Sequence, residues 1–146
     1  WTFVKRIKID YPDYLQPVLL RINPEYGTHI SCDEGWWKII SMCDKELSLL
    51  DPGYTIFQIK EKFGGLRYYY SPSNPLNVES MDVVVRKHEK ICSMTCEVTG
   101  GHGYLMRNGL RGMGQLKTLN ESFLQQGWTK VDTTDTVKTN VIKLQK

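Results

Sequence analysis

Hydrophobic and polar residues recur along this chain in patterns that predict a small set of strands and helices. Near the start, two isoleucines alternate with charged residues over residues 7–10, a period of two that indicates a strand. Residues 31–34 have the S-x-x-E spacing of a capping box at a helix start. Apolar residues then recur every three or four positions, at Trp36, Ile40, Cys43, Leu47 and Leu50. This pattern predicts an amphipathic helix over residues 36–50, which the Asp-Pro-Gly sequence at 51–53 ends.

Two β-prone runs and a second amphipathic helix follow. Residues 54–62 alternate and are rich in Ile, Phe and Tyr, and residues 66–70 form a second such run. The Gly64-Gly65 pair between them indicates a hairpin turn. Asn74-Pro75 is typical of an N-cap followed by proline at the first helical position. A helix is predicted behind it, with an apolar stripe of Leu76, Met81, Val84, Val85, His88, Ile91 and Cys92.

The last third of the chain predicts a second hairpin, a short helix and a tail. Tyr104-Leu105-Met106 and Gln115-Leu116-Lys117 flank a glycine-rich stretch, which indicates a hairpin with an extended loop. A short helix is predicted from about residue 119 to residue 126, ending at Gly127. Residues 129–146 are rich in threonine without a clear period, and they predict either a closing strand or a flexible tail.

These elements predict a single α+β domain over residues 1–146, with antiparallel hairpins packed on two amphipathic helices. A length of 146 residues fits one domain, and 40% hydrophobic residues suffice for a core. The chain shows no signal-peptide pattern and no run of about 18 apolar residues. We therefore expect a cytoplasmic protein with reduced thiols and no membrane partner.

The first hairpin carries the most distinctive chemistry, a set of basic and aromatic side chains around its turn. Strand alternation places Gln58, Lys60 and Lys62 on one face, and Phe57, Ile59 and Glu61 on the other. If Gly64-Gly65 form a two-residue turn, Lys62 lies opposite Arg67 and Lys60 lies opposite Tyr69. A four-residue loop gives the same two pairs.

Like charges directly opposite each other are unfavourable, so this arrangement predicts an anion-binding site at Lys60, Lys62, Arg67 and Tyr69. The anion could be a ligand phosphate, a nucleic-acid backbone or a carboxylate, and Tyr69 could stack on a base. A three-residue loop would instead place Glu61 opposite Arg67, which makes an ordinary cross-strand ion pair. Exposed lysines also deter edge-to-edge aggregation of strands. The net charge of +3 permits an anionic partner but does not require one.

Other residues offer weaker chemistry. His88, Cys92 and Cys96 fall at four-residue intervals and His102 follows, which could make a zinc site. Their spacing matches no common zinc motif, and Cys92 lies on the apolar stripe, so no metal or cofactor is predicted. The loop at residues 109–114 could cradle a phosphate, but it lacks the strand and helix that a phosphate-binding loop needs. The basic residues near it are Arg107, Arg111 and Lys117.

Four motifs stand in a distinctive order within residues 34–123: E-G-W-W-K-I-I-S-M-C, Q-I-K-E-K-F-G-G-L-R-Y-Y, T-C-E-V-T-G and L-K-T-L-N. Together they resemble a family of small uncharacterised proteins from bacteria and their phages. Members of that family carry C-E-x-C-G and T-L-C-x-x-H, a pattern like a zinc ribbon with two ligands on each knuckle. This chain keeps Cys96 and has Thr99, Asn120 and Phe123 at the other ligand positions. The resemblance therefore implies a degenerate, metal-free zinc-ribbon-like hairpin, held by packing of residues such as Leu119 and Phe123.

The resemblance implies a phage origin but no activity. We expect a binding protein without catalysis, which sequesters an anionic ligand such as a nucleotide signal or blocks a host defence protein. A nucleic-acid-binding module derived from a zinc ribbon is the alternative, suggested by Arg107, Arg111 and Lys117. An enzyme using Glu61, His88, Cys96 or His102 is a third hypothesis, although no catalytic constellation can be assembled from neighbouring positions. Exposed strand edges and four tryptophans also permit an oligomer.

Overall fold

The computed structural model describes residues 10–109 and 114–131, and it is an α+β fold. Its helices are α1 (Gln16–Arg21), α2 (Trp37–Leu50) and α3 (Val78–Cys92). Its strands are β1 (Thr55–Lys62), β2 (Gly65–Ser71), β3 (Tyr104–Asn108), β4 (Gln115–Leu119) and β5 (Trp128–Lys130). The two predicted amphipathic helices and both predicted hairpins are thus confirmed. The strand predicted near residues 7–10 lies almost wholly outside the described residues.

The strands form two antiparallel sheets, each with its own core. In the first, β1 pairs with β2 and the helices pack against the hairpin. In the second, β3 lies between β4 and β5, over a smaller core of Cys96, Met106 and Leu119. For residues 129–146 the sequence predicts either a closing strand or a flexible tail. The structure describes only the start of this segment, where Thr129 and Lys130 lie in strand β5. Residues 132–146 lie outside the described part of the chain.

Helix α2 forms because most of its apolar stripe is buried in the first core, although Leu50 at its last position is 42% exposed. Ile40, Cys43 and Leu47 are each 0% exposed, and burying such a side chain stabilises a fold by about 1.5–3 kcal/mol. The capping box predicted at residues 31–34 is wrong. Ser31 instead bridges β1, donating its amide to the Ile59 carbonyl and accepting from the Glu61 amide. This tertiary pairing takes the place of the local cap.

Helix α3 begins as the sequence predicts, with a 3-10 turn at Pro75–Asn77 that Asn74 caps. The Asn74 side chain accepts from the Leu76 amide at 3.0 Å. The buried stripe is narrower than predicted, because Leu76 is 88% exposed and Ile91 lies at the edge of the core. Its fully buried members are Met81, Val85, His88 and Cys92.

Both long edges of the first hairpin are covered. Along β1, the Asn23 amide donates to the Ile56 carbonyl, and Ser31 bonds to the strand further along. Along β2, the Tyr68 amide donates to the Glu89 carboxylate of α3 at 3.1 Å. The tip is fixed to the second sheet, since the Thr118 hydroxyl donates to the Gly64 carbonyl at 2.7 Å. The hairpin is therefore held along β1, at the middle of β2 and at its tip, with one face exposed.

Asp51 fixes the segment between β2 and α3, and this makes the fold acid-sensitive. Its carboxylate accepts hydrogen bonds from the Ser73 hydroxyl and amide, the Asn74 amide and the Asn77 side chain. The Ser73 hydroxyl is the main cause that lowers the pKa of Asp51 to about 2.

We expect Asp51 to add stability that is complete above about pH 4 and lost as the pH falls through about 2. The sign follows because protonation occurs more readily in the unfolded chain, so acid favours unfolding. Urea unfolding of wild type and Asp51→Asn between pH 5 and pH 2 measures the difference. The variant should lose less stability over this range, while Asp13→Asn, at an exposed aspartate, should match wild type. Equal slopes for wild type and Asp51→Asn would contradict the prediction.

Candidate anion-binding site

The register of the β1–β2 hairpin decides which side chains meet on its exposed face. The turn is Phe63-Gly64, and both residues have positive φ, 54° and 83°, as a two-residue type I′ turn requires. Gly65 already belongs to β2 and pairs with Lys62. The prediction of a Gly64-Gly65 turn is therefore wrong by one residue, because Phe63 takes the left-handed conformation expected of glycine.

The charged pairs change accordingly. Lys60 lies directly opposite Arg67, so the predicted Lys62–Arg67 and Lys60–Tyr69 pairs are wrong. Glu61 lies opposite Leu66, so the alternative Glu61–Arg67 ion pair is also wrong. Two like charges still oppose each other on one face.

Glu61 does not neutralise this face. Because neighbouring residues on a strand point to opposite sides, its carboxylate lies on the other face from Lys60. There it accepts the Gly64 amide at 2.8 Å and stabilises the turn. Within residues 10–109 and 114–131, no acidic side chain forms an ion pair with Lys60, Lys62 or Arg67. We call this set, together with Tyr69, the basic face.

Glu89 is an acid whose charge interacts with Arg67 of the basic face. Burial raises its pKa, while the hydrogen bond from the Tyr68 amide and the positive charges of Arg67 and Arg86 act in the opposite direction. Its carboxylate is already bonded to the edge of β2. It therefore offsets part of the charge of Arg67 from the edge of β2, although the two side chains form no ion pair.

Two lysines of the basic face lie against aromatic rings. The Lys60 Nζ lies 5.9 Å from the centroid of the Tyr69 ring, and the Lys62 Nζ lies 5.6 Å from that of Phe63. Such cation–π contacts are worth about 0.5–1 kcal/mol at exposed sites. They hold each ammonium close to an aromatic ring at the basic face, where a phosphate can accept hydrogen bonds from it.

An aromatic cleft of about 490 Å³ adjoins the basic face, and the sequence pattern did not predict it. Tyr26, Phe57, Gln58 and Tyr69 line it. The register of β1 shifts between Ile56 and Gln58, so Phe57 is the extra residue of a β-bulge. The bulge turns Phe57 out to the same side as Gln58, whereas regular alternation had placed it with Ile59. Tyr26 comes from a 3-10 turn at Pro24–Tyr26, far away in sequence.

In the second basic group, Lys117 is already paired with acidic side chains. Lys117 Nζ lies 3.3 Å from Glu97 Oε1 and 3.8 Å from Asp33 Oδ2, so its charge is balanced. Arg107 is half-buried on β3, and Arg111 lies outside the described residues.

The four residues of the zinc hypothesis are not brought together. His88 and Cys92 are buried in the first core, and the His88 Nδ1 lies 2.8 Å from the Val84 carbonyl. Cys96 belongs to the second core, and His102 is exposed, with its ring against Tyr104. Across the part of the chain that the structure describes, no three His, Cys, Asp or Glu side chains could hold a metal ion. Glu61, His88, Cys96 and His102 likewise do not converge into a catalytic group.

Thr99, Asn120 and Phe123 stand at the remaining zinc-ligand positions of the resembled family, and each makes contacts within the fold. The Thr99 amide donates to the Cys96 Sγ at 3.3 Å, and the Asn120 side chain caps the 3-10 helix Glu121–Gln126. Phe123 and Leu119 pack in the second core, as the resemblance implies. Burial opposes ionisation of Cys96, but hydrogen bonds from Thr99, Asn120 and Val98 lower the pKa of its thiol below the usual value. Descent from a zinc ribbon stays a prediction.

A second cleft, of about 590 Å³, lies between the start of α2 and the end of α3. Tyr14, Glu34, Lys38 and Thr99 are among its lining residues. One acid and one lysine balance each other there, so the cleft has no preference for an anion. The basic face with its aromatic cleft is therefore the better candidate site.

Comparisons of the chain with family models, with curated proteins and with solved structures find no match in any of the three. Family membership therefore stays a prediction. Among the described residues, no helix has the length and apolar character needed to cross a membrane.

Proposed function

We propose that this protein binds a phosphate-bearing anion on its basic face and does not catalyse a reaction. The observation that carries the proposal is the direct opposition of Lys60 and Arg67 on the outer face of the hairpin, where no acidic side chain among the described residues forms an ion pair with either. Like charges in this position are unfavourable by about 0.2–1 kcal/mol. A phosphate between them would remove that repulsion, and the Arg67 guanidinium can bond two of its oxygens at once.

The wider role follows from the resemblance to phage and bacterial proteins. A small phage-encoded protein with such a face would interfere with a host defence by sequestering a nucleotide signal. Blocking a host protein is the other form of the same role. The nucleic-acid alternative at Arg107, Arg111 and Lys117 is less well supported, because Lys117 is already paired with Glu97.

Binding of pyrophosphate and nucleotides, measured by titration calorimetry at low ionic strength, tests the proposal. We expect Lys60→Ala to weaken binding by about tenfold, since a charge-assisted hydrogen bond is worth about 1.5–3 kcal/mol. Lys45→Ala removes the same charge from an exposed position on α2 and serves as the matched control.

The control should bind as wild type does, and both variants should melt at the wild-type temperature. Equal weakening by Lys60→Ala and Lys45→Ala would show only a general charge effect and would contradict the site. Absence of binding by every phosphate compound would reject the proposed function altogether.

A further inference from the structure

We propose that the phosphate compound is a free nucleotide, whose base enters the aromatic cleft while its phosphate meets Lys60 and Arg67. This inference rests on the proposed function and adds the class of ligand and three further binding residues, Tyr26, Phe57 and Gln58. It follows from the position of the cleft beside the basic face, the chemistry of its walls and the way in which the backbone holds them.

The walls of the cleft suit a flat aromatic ring. The Tyr26 and Phe57 rings lie 5.5 Å apart at 90°, and Tyr69 comes from the neighbouring strand. Their side chains stay 54%, 39% and 43% exposed, respectively. Three large aromatic side chains left together at the surface are typical of a binding site. Stacking of a base on such a ring is worth about 1–3 kcal/mol.

The cleft is held in place before any ligand arrives. The bulge in β1 fixes the direction of Phe57, and the ladder opposite Gln58 fixes Tyr69. Tyr26 is fixed because the Asn23 amide donates to the Ile56 carbonyl at 3.0 Å, while the Asn23 side chain caps the turn. Preorganised walls reduce the entropy that binding loses.

Gln58 supplies polar recognition within the apolar walls. It lies directly opposite Tyr69 and lines the cleft. A side-chain amide offers both donors and an acceptor, which match the mixed donor and acceptor edges of a nucleobase. A purely hydrocarbon ligand would leave this amide without a partner.

The spacing between cleft and cations fits a base joined to a phosphate through one sugar. The Lys60–Arg67 pair lies two residues along the strands from Gln58–Tyr69, a distance of about 6.8 Å. The Lys60 Nζ is also close to the Tyr69 ring, so the positive charge lies at the rim of the cleft. The cleft lined by Tyr26, Phe57, Gln58 and Tyr69 places one base beside the cations, which is the recognition unit of a free nucleotide.

Calorimetric titration of the whole chain with ribose 5-phosphate, each ribonucleoside 5′-monophosphate and pyrophosphate tests the inference. We expect the best nucleotide to bind at least about tenfold tighter than ribose 5-phosphate, which corresponds to one stacked base. Phe57→Leu should remove this advantage and leave ribose 5-phosphate binding unchanged. Tyr14→Leu, at an exposed aromatic residue outside this cleft, should retain it. Gln58→Leu should reduce the differences among the four nucleotides.

The outcomes separate the two proposals. If ribose 5-phosphate and pyrophosphate bind as tightly as every nucleotide, the base site is wrong while the anion site stands. If no phosphate compound binds, both are wrong. Affinity could instead rise steeply from the mononucleotide to oligonucleotides, with Phe63→Leu weakening the binding of the longer ligands. In that case the free nucleotide is wrong as the ligand class, and the ligand is a single-stranded nucleic acid.

Discussion

Replacement of Trp36 by alanine is expected to destabilise the fold by about 3–5 kcal/mol, the usual range for a buried tryptophan. Trp36 is 0% exposed in the first core. Its Nε1 donates to the Thr95 carbonyl at 2.8 Å, in the segment that leads to the second core. The substitution therefore leaves a large cavity and removes a bond between the two halves of the molecule. Urea unfolding measures the loss.

Two variants show whether the effect is specific. Trp36→Phe keeps most of the volume and loses only the N–H donor, so we expect about 1–2 kcal/mol. Trp37→Ala should cost less than half as much as Trp36→Ala, because Trp37 is only half-buried beside Tyr11. A larger effect at Trp37 than at Trp36 would contradict the assignment of the core residue in this tandem pair.

Gly35→Ala is expected to destabilise the protein by about 2–3 kcal/mol, the upper part of the range for overpacking. A Cβ at this position would lie 2.3 Å from the Cys96 carbonyl oxygen and 2.4 Å from that of Glu97. These are backbone atoms, so no side-chain movement can relieve the overlap. The two segments would have to separate, which breaks the 2.7 Å bond from the Gly35 amide to the Glu97 carbonyl.

Gly101→Ala is the matched control, because a Cβ there meets only side-chain atoms at ordinary contact distances of 3.5 Å. Thermal melts should show a large fall for Gly35→Ala and a small one for Gly101→Ala. If the two variants melt together, the close approach of the 3-10 turn Glu34–Trp36 to residues 96–97 is not a constraint on the fold.

The two long helices and the four hairpin strands could be predicted because their patterns are local and long, whereas the six-residue helix α1 was not predicted. Fourteen residues of α2 and fifteen of α3 repeat the helical period over several turns. Local sequence could not show whether Ser31 would cap a helix, because distant segments decide the hydrogen bonds of residues 31–34. Ser31 is drawn into a bridge with β1, and Asp33 donates its amide to Glu97, 64 positions away.

The site was predictable only in part. That Lys60 and Arg67 share a face follows from alternation together with a short turn, and this much of the prediction agrees with the register. The left-handed conformation of Phe63 could not be predicted from the sequence, because the neighbouring Gly64 and Gly65 can both adopt a positive φ at less steric cost. The bulge at Phe57 and the arrival of Tyr26 depend on pairing between distant segments, so periodicity carries no signal for either.

The covered edges of the first hairpin limit how another protein could recognise it. Segments from residues 22–23 and 31 already occupy the β1 side, and Glu89 occupies the central amide on the β2 side. A foreign peptide that joined this hairpin by β-augmentation would have to displace residues 22–23 and 31 on one side or Glu89 on the other, so this main-chain mode is disfavoured. A partner that docks on this hairpin is therefore recognised mainly through side chains. Point substitutions on the exposed face should alter its specificity more strongly than they would if main-chain pairing supplied the contacts.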